Sequence, residues 1–390
     1  LAVPTFFALT MAGAFSFVYN LAESTRRRLG DSVFGWSPMV AGLSGGVFVA
    51  VLGNLDGAVQ VGQGAWRAVF RNMPFGEFDF WRSSRMMPPD PPGFEITEFP
   101  FFTFLFADLH PNLMSIPFTL LALGLALATV LAAPQLAVLR TRWPWSRNEL
   151  ARLAFLGVVV GAIRVINTWD YPTYLIVAAG ALLLAAYLRN GGLSLTVLLE
   201  AVFKSVLVFL IGYLVFLPFH MNYEAFFTSL EPTTNQTVLW QFLVISGLFV
   251  FIVGSFYVYE LRDWLTHWWR VAGRWAGTLE QASSRSPGDT PPAYDRYRAA
   301  GLRILAAVLA AVTVGFVVSA GASGWLGSTV PVLVIIGTVV LVAGARGAMS
   351  ARADAPQLAF VAMIVGVALY GTAYVIPQFL SGIAGYNSLQ

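Results

Sequence analysis

The 390-residue sequence has no cysteine, which excludes disulfides and every thiolate metal site. Charge is scarce as well. Asp, Glu, Lys and Arg make up 11% of the chain, where a soluble domain carries roughly a quarter. Histidine occurs three times, and Lys204 is the single lysine, so nearly all the positive charge is arginine. No glycine-rich phosphate loop follows a strand-like segment, and no histidine pair has zinc-site spacing. The alternating pattern of a membrane barrel is missing too. No signal-peptide pattern opens the chain, which begins at Leu1, and the sequence reads as a segment of a longer protein.

What is present is apolar length. Hydrophobic residues make up 57% of the chain and its mean hydropathy is +0.70. About ten runs are long enough to cross a bilayer, near 1–20, 37–54, 113–133, 151–167, 173–188, 195–217, 239–260, 303–321, 329–345 and 357–376. Helices are the expected form, because a spanning helix satisfies its own backbone groups in lipid. The fold class that follows is an all-α integral membrane protein with about ten transmembrane helices and a large extracytoplasmic loop.

Charge placement gives a direction. The connections carrying Arg26–Arg28, Arg140/Arg142/Arg147/Arg152, Arg189, the 261–302 stretch and Arg346/Arg352 fall on alternate sides of the spans, as cytoplasmic loops must. Only Arg67, Arg71, Arg82, Arg85 and Arg164 fall on the other face, which carries ten acids. The pI near 9.2 is therefore a topology signal and not a nucleic-acid signal. Three units follow: a membrane core over 1–260 with an outer loop at 55–112, a cytoplasmic amphipathic helix and linker over 261–302, and C-terminal membrane helices over 303–390. The expected location is the cell membrane, in contact with lipid.

The polar residues of the outer face cluster in three stretches. In "EITEFPFFTFLFADLHPNLMSIPF" (95–118), Glu95, Glu98, Asp108 and His110 stand among phenylalanines. Asp108 and His110 are two residues apart before Pro111, so they can face one way and share a cation or a phosphate. The plainer alternative is that they cap the third span. In "RVINTWDYPTY" (164–174), Arg164 either faces a polar partner or snorkels to the interface, and Asp170 either caps a helix or faces Asp108. In "LPFHMNY" (217–223), His220 reads as an interfacial side chain more readily than as a ligand. Trp81, Arg82 and Arg85 form a basic aromatic group that suits a phosphate or lipid headgroups. Residues 58–71 form an expected interfacial helix, and 99–111 a short apolar dip. Gly42/Gly46 and Gly157/Gly161 have the spacing of close helix packing.

"GNLDG", "FWRSSRMMPPD", "EITEFPFFTFLFADLHPNLMSIPFTLLALGL", "INTWDYPTY" and "LPFHMNY" together resemble the YYY multi-pass membrane protein family of archaea and Chloroflexi, a domain family of unknown function. The likeness covers roughly 15–240 well. That family is similar in architecture to GT-C glycosyltransferases, which use polyprenyl-phosphate sugars. The resemblance implies a GT-C-like fold and transfer of a sugar from a polyprenyl-phosphate carrier to an extracytoplasmic acceptor. In that role Asp108 is the base or a metal ligand with His110, and Glu98 is the alternative acid. Asp170 orients the site, while Arg85 and Arg164, with Arg82 and His220, hold the donor phosphate. The implied cofactor is a divalent cation, Mg or Mn. Two other functions fit the same chain: a transporter or flippase of a lipid-linked solute, and a non-catalytic subunit that docks protein partners.

Overall fold

A computed structural model describes residues 1–29, 37–85, 97–138, 146–190 and 194–224, with parts of 240–255. Every regular element among the described residues is a helix. In chain order these are α1 (Ala2–Leu29), α2 (Pro38–Ala50), α3 (Asp56–Phe70), α4 (Phe80–Ser83), α5 (Pro100–Phe106), α6 (Pro111–Val138), α7 (Arg147–Ile166), α8 (Tyr171–Asn190), α9 (Leu195–Val215) and α10 (Leu217–Asn222). The described residues between Trp240 and Ile252 are also helical. The expected spans beyond 260, the 261–302 unit and the ten-span count lie outside the described residues.

Local sequence sets the helix ends. Ser146 and Ser194 cap α7 and α9, accepting from the N–H groups of Glu149 and Val197. Pro38 and Pro100 open α2 and α5 from extended residues, Ser37 and Phe99, because proline disfavours a helical residue before it. α5 stops at Ala107, whose φ of 59° lies in the left-handed region.

Among the described residues, four helices are long and apolar enough to cross a membrane: Ala2–Arg27, Pro111–Ala133, Tyr171–Asn190 and Leu195–Val215. Two expected spans differ from that description. α2 has 13 residues, about 20 Å at the helical rise, and is short for a straight crossing of a ~30 Å core. α7 has 20 residues but carries Arg147, Glu149, Arg152 and Arg164. It nonetheless packs against α6, α8 and α9 and buries Leu153, Leu156, Val159, Val160 and Ile163.

Side-chain contacts fix the helix directions. Glu149 of α7 meets Lys204 of α9, and Gly161 meets Gly212, so α7 and α9 are parallel. Ser115 near the start of α6 meets Asp170 at the start of α8, so those two are parallel as well. One end of the bundle therefore gathers residues 110–115, 164–171 and 215–222, and is the motif end. The other gathers 26–29, 147–152 and 189–195, and is the basic end. The buried core between them is aliphatic: Ala126, Leu127 and Val130 pack on Val177 and Ala181, and Leu153, Leu156 and Val160 pack on Leu182 and Val208.

α7 and α9 touch backbone to backbone. A Cβ on Gly161 would lie 2.6 Å from the Gly212 Cα. At Gly42, where α2 crosses α1, it would lie 2.8 Å from the Phe15 ring. Such approaches bring carbonyls and Cα atoms into van der Waals contact, the main attraction left between helices in lipid. Gly161→Val should lower the thermal midpoint of detergent-solubilised protein, at a cost of about 1–3 kcal/mol. Gly124→Ala should leave it unchanged, since a Cβ there meets nothing within 4 Å. Equal midpoints for the two variants would show that the α7–α9 contact is dispensable.

Candidate functional site

The motif end holds three polar groups, and each assembles residues that are distant in sequence. The first surrounds Asp56, which is 1% exposed at the start of α3. Its carboxylate accepts from Arg82 (2.7 Å), Ser83 Oγ (2.9 Å) and Gln60 Nε2 (2.8 Å). Gln60 also bonds the Asp79 backbone in both directions, and Asp79 in turn caps α4. Asn54 donates to the Ser83 carbonyl and accepts from the Asp56 N–H. The stretches "GNLDG" and "FWRSSR" thus form one buried network. Arg85 leaves it to pair with Glu98 at 3.2 Å and to lie over the Trp81 ring at 4.5 Å. Trp81 in turn packs edge-on against Phe102 and Phe106 of α5.

The second group joins α6 to the α7–α8 turn. Asp170 Oδ2 accepts from Ser115 Oγ (2.6 Å) and Asn167 Nδ2 (2.9 Å). Asn167 also donates to Asn112 Oδ1 at 2.9 Å and is 6% exposed. The stretch after "DLHP" is therefore tied directly to "INTWD". Asp170 precedes α8, and its side chain reaches across to α6.

The third group is Arg164 with His220. The Arg164 guanidinium lies over the Tyr171 ring at 5.2 Å, and its Nε is buried without a hydrogen-bond partner. His220 stacks on Tyr213 with ring centroids 4.6 Å apart, and both of its ring nitrogens are buried without partners. Burial, and then the nearby Arg164 charge, push the His220 pKa below its ordinary value.

Asp108 and His110 differ from these groups. Their side chains are 46% and 50% exposed and meet each other, His110 Nδ1 to Asp108 Oδ2 at 2.8 Å. Among the described residues the Asp108 carboxylate bonds His110 and not the α6 backbone. The left-handed Ala107 adjoins it, a conformation that costs a non-glycine residue about 1–2 kcal/mol. No three His, Asp or Glu side chains among the described residues gather as a metal ion would require. Glu95, expected beside this pair, lies outside the described residues.

Expected residues are thus placed in different company. Arg82 is joined to Asp56, Arg85 to Glu98, Asp170 to Ser115, and Arg164 lies near His220, while Asp108 pairs with His110. Asn54, Asp56, Gln60, Ser83, Asn112, Ser115 and Asn167 were not singled out from the sequence. Most of them sit inside the quoted motifs, and that was the available signal.

A protein-family model described as "Uncharacterized membrane protein (DUF2298)" matches residues 1–376, well beyond the motif-bearing 15–240. No curated protein and no solved structure matches the chain.

Two outcomes follow from the geometry. Asp56→Ala leaves Arg82, Ser83 and Gln60 without their acceptor, and should cost about 2–3 kcal/mol of local stability. Limited proteolysis should then cleave near Arg82 and Arg85 faster than in the wild type, and an unchanged digest would show that the network does not hold this segment. His220 binds protons less readily in the fold than in the unfolded chain, whose value is about 6.5. Its contribution to stability is full above that value and is lost as pH falls through the lower folded value. The thermal midpoint should drop on acidification below about pH 6.5, and His220→Gln should flatten that part of the profile.

Proposed function

The chain belongs to the DUF2298 family of membrane proteins, and from that premise we propose a GT-C-like glycosyltransferase that works at the motif end of the bundle. The donor is a polyprenyl-phosphate sugar, and the acceptor is a hydroxyl group on the extracytoplasmic side. The observation that carries this reading is the bond network between Asp170, Ser115, Asn167 and Asn112, which ties two motifs 55 residues apart into one unit at the start of α6, the helix that follows Asp108 and His110 in the chain. The architectural resemblance of the motif-bearing sequence supports it as well.

In the proposed reaction the acceptor oxygen attacks the anomeric carbon of the donor. The bond from that carbon to the phosphate oxygen breaks, and polyprenyl phosphate leaves with the electron pair. Asp108 takes the acceptor proton, and His110 holds the carboxylate in place through its Nδ1–H. Arg164 and His220, with buried nitrogens that have no protein partner, face the phosphate, while Arg82 and Arg85 add positive charge. Glu98 fixes Arg85, and Asp170 orients the start of α6. A divalent cation, Mg or Mn, would be held by Asp108 and His110, although no third carboxylate or imidazole among the described residues joins them. Such an ion would supply charge stabilisation for the departing phosphate.

A second reading, transport of a lipid-linked solute, is favoured by one observation. Lys204 is buried ten residues into α9 and bonded to Glu149 and Glu200, and intramembrane charge is common along transport paths. The two readings part on one substitution. In proteoliposomes carrying a polyprenyl-phosphate sugar and an acceptor, Asp108→Asn should reduce transfer about 10²-fold or more at normal protein levels. Unaltered transfer by that variant removes Asp108 as the base. Solute uptake with no transfer by the wild type favours the transporter.

A further inference from the structure

The basic end of the bundle carries a buried charge cluster that the proposed function does not use. Glu149 lies in the first turn of α7 and Arg152 one turn on. Arg189 ends α8, and Glu200 and Lys204 are one turn apart on α9. Lys204 donates to Glu149 and, at 2.6 Å, to Glu200, with its side chain 4% exposed. Arg189 pairs with both carboxylates. Three cations therefore face two carboxylates, leaving one positive charge in excess among the described residues.

Two further facts point to a ligand. Glu149, Arg152, Arg189 and Lys204 line one cavity of about 20 Å³, between α6, α7, α8 and α9. Arg152 also lines it, and its Nε is buried with no hydrogen-bond partner. An orphaned N–H and an unbalanced charge are both costly away from water. A water occupies roughly 10–15 Å³ on the same measure, so the cavity holds a single small body. A neutral water would answer the orphaned N–H and leave the charge. A monatomic anion answers both.

We infer that Arg152, Arg189 and Lys204 form a site for one halide-class anion, chloride under ordinary conditions, which neutralises the cluster and locks α7, α8 and α9 together at the basic end. This site lies at the opposite end of the bundle from the proposed transferase site and does not depend on it.

The test uses the full chain in detergent at constant ionic strength, with sodium chloride, bromide or gluconate. Chloride and bromide should raise the thermal midpoint saturably, by on the order of 2–4 °C up to 150 mM, and gluconate, too large for the cavity, should not. Arg152→Gln should remove the halide response. If that variant does not fold, crystals of the wild type soaked in bromide should show an anomalous peak between Arg152 and Lys204. A midpoint indifferent to the anion, a halide response that survives in Arg152→Gln, or a cavity without bromide overturns the inference and leaves the space to water.

Discussion

A charge placed in hydrocarbon must find its partner inside the protein, and α7 is where that constraint falls hardest. Four charged residues in 20 make it too polar to face lipid alone, yet it runs through the middle of the bundle. The fold resolves this by packing it against α6, α8 and α9, while the large side chains that α7 leaves exposed in its first half, Leu150 and Phe155, are apolar. α7 is gripped at both ends by α9, through Gly161 against Gly212 toward the motif end and Glu149 against Lys204 at the basic end. The glycine contact needs the helices close, and closeness in turn brings the lysine within reach of the glutamate. The glycine contact is not available to helices held at an ordinary separation of 8–10 Å.

The placement of the motif residues follows from that grip. Arg164, Asn167 and Asp170 project from the end of α7 and the turn after it, so their positions are those of the bundle and not of a free loop. Asn112 and Ser115 meet them because α6 begins at the same end. The segment before α6 is held differently. Residues 54–85 are locked by bonds converging on the buried Asp56 carboxylate, and Arg85 extends that lock to Glu98. The self-locked segment over 54–85 is thus joined, through Arg85 and Glu98, to the residues just before the short α5 helix, which ends at the left-handed Ala107.

Much of this was legible in the sequence. Hydropathy located six helices between residues 1 and 217 and an amphipathic α3, because apolar length in lipid leaves few alternatives to a helix. The Gly157/Gly161 spacing pointed to close packing, though not to Gly212 as its partner. The misses share one physical origin. Composition counts charges, while burial depends on which side chains meet. Asp56 looked like one acid among ten on its face, although it is sealed by three donors. Lys204 stood out in the sequence only as the single lysine, although it is a buried partner of Glu149. The surface helix expected in 261–302 lies outside the described residues. α2 was read as a span because its flanking residues are apolar too, and hydropathy does not see where hydrogen bonding stops.

The same accounting separates the carboxylates of the motif end by what they are free to do. Both oxygens of Asp56 are occupied, by Arg82 on one and by Gln60 and Ser83 on the other, so a ligand would have to displace bonds that hold the segment together. Glu98 is held by Arg85 and is largely shielded. Asp170 Oδ2 is taken twice by residues that join α6 to the α7–α8 turn. Asp108 is bonded to a single side chain, His110, and stands about half exposed at the rim. A group that must meet an incoming hydroxyl, accept its proton and release it to water needs access on one side and a fixed orientation on the other. In the proposed reaction that group is Asp108, with His110 as the orienting partner. Asp56, Glu98 and Asp170 instead spend their oxygens on bonds that join separate stretches of the chain.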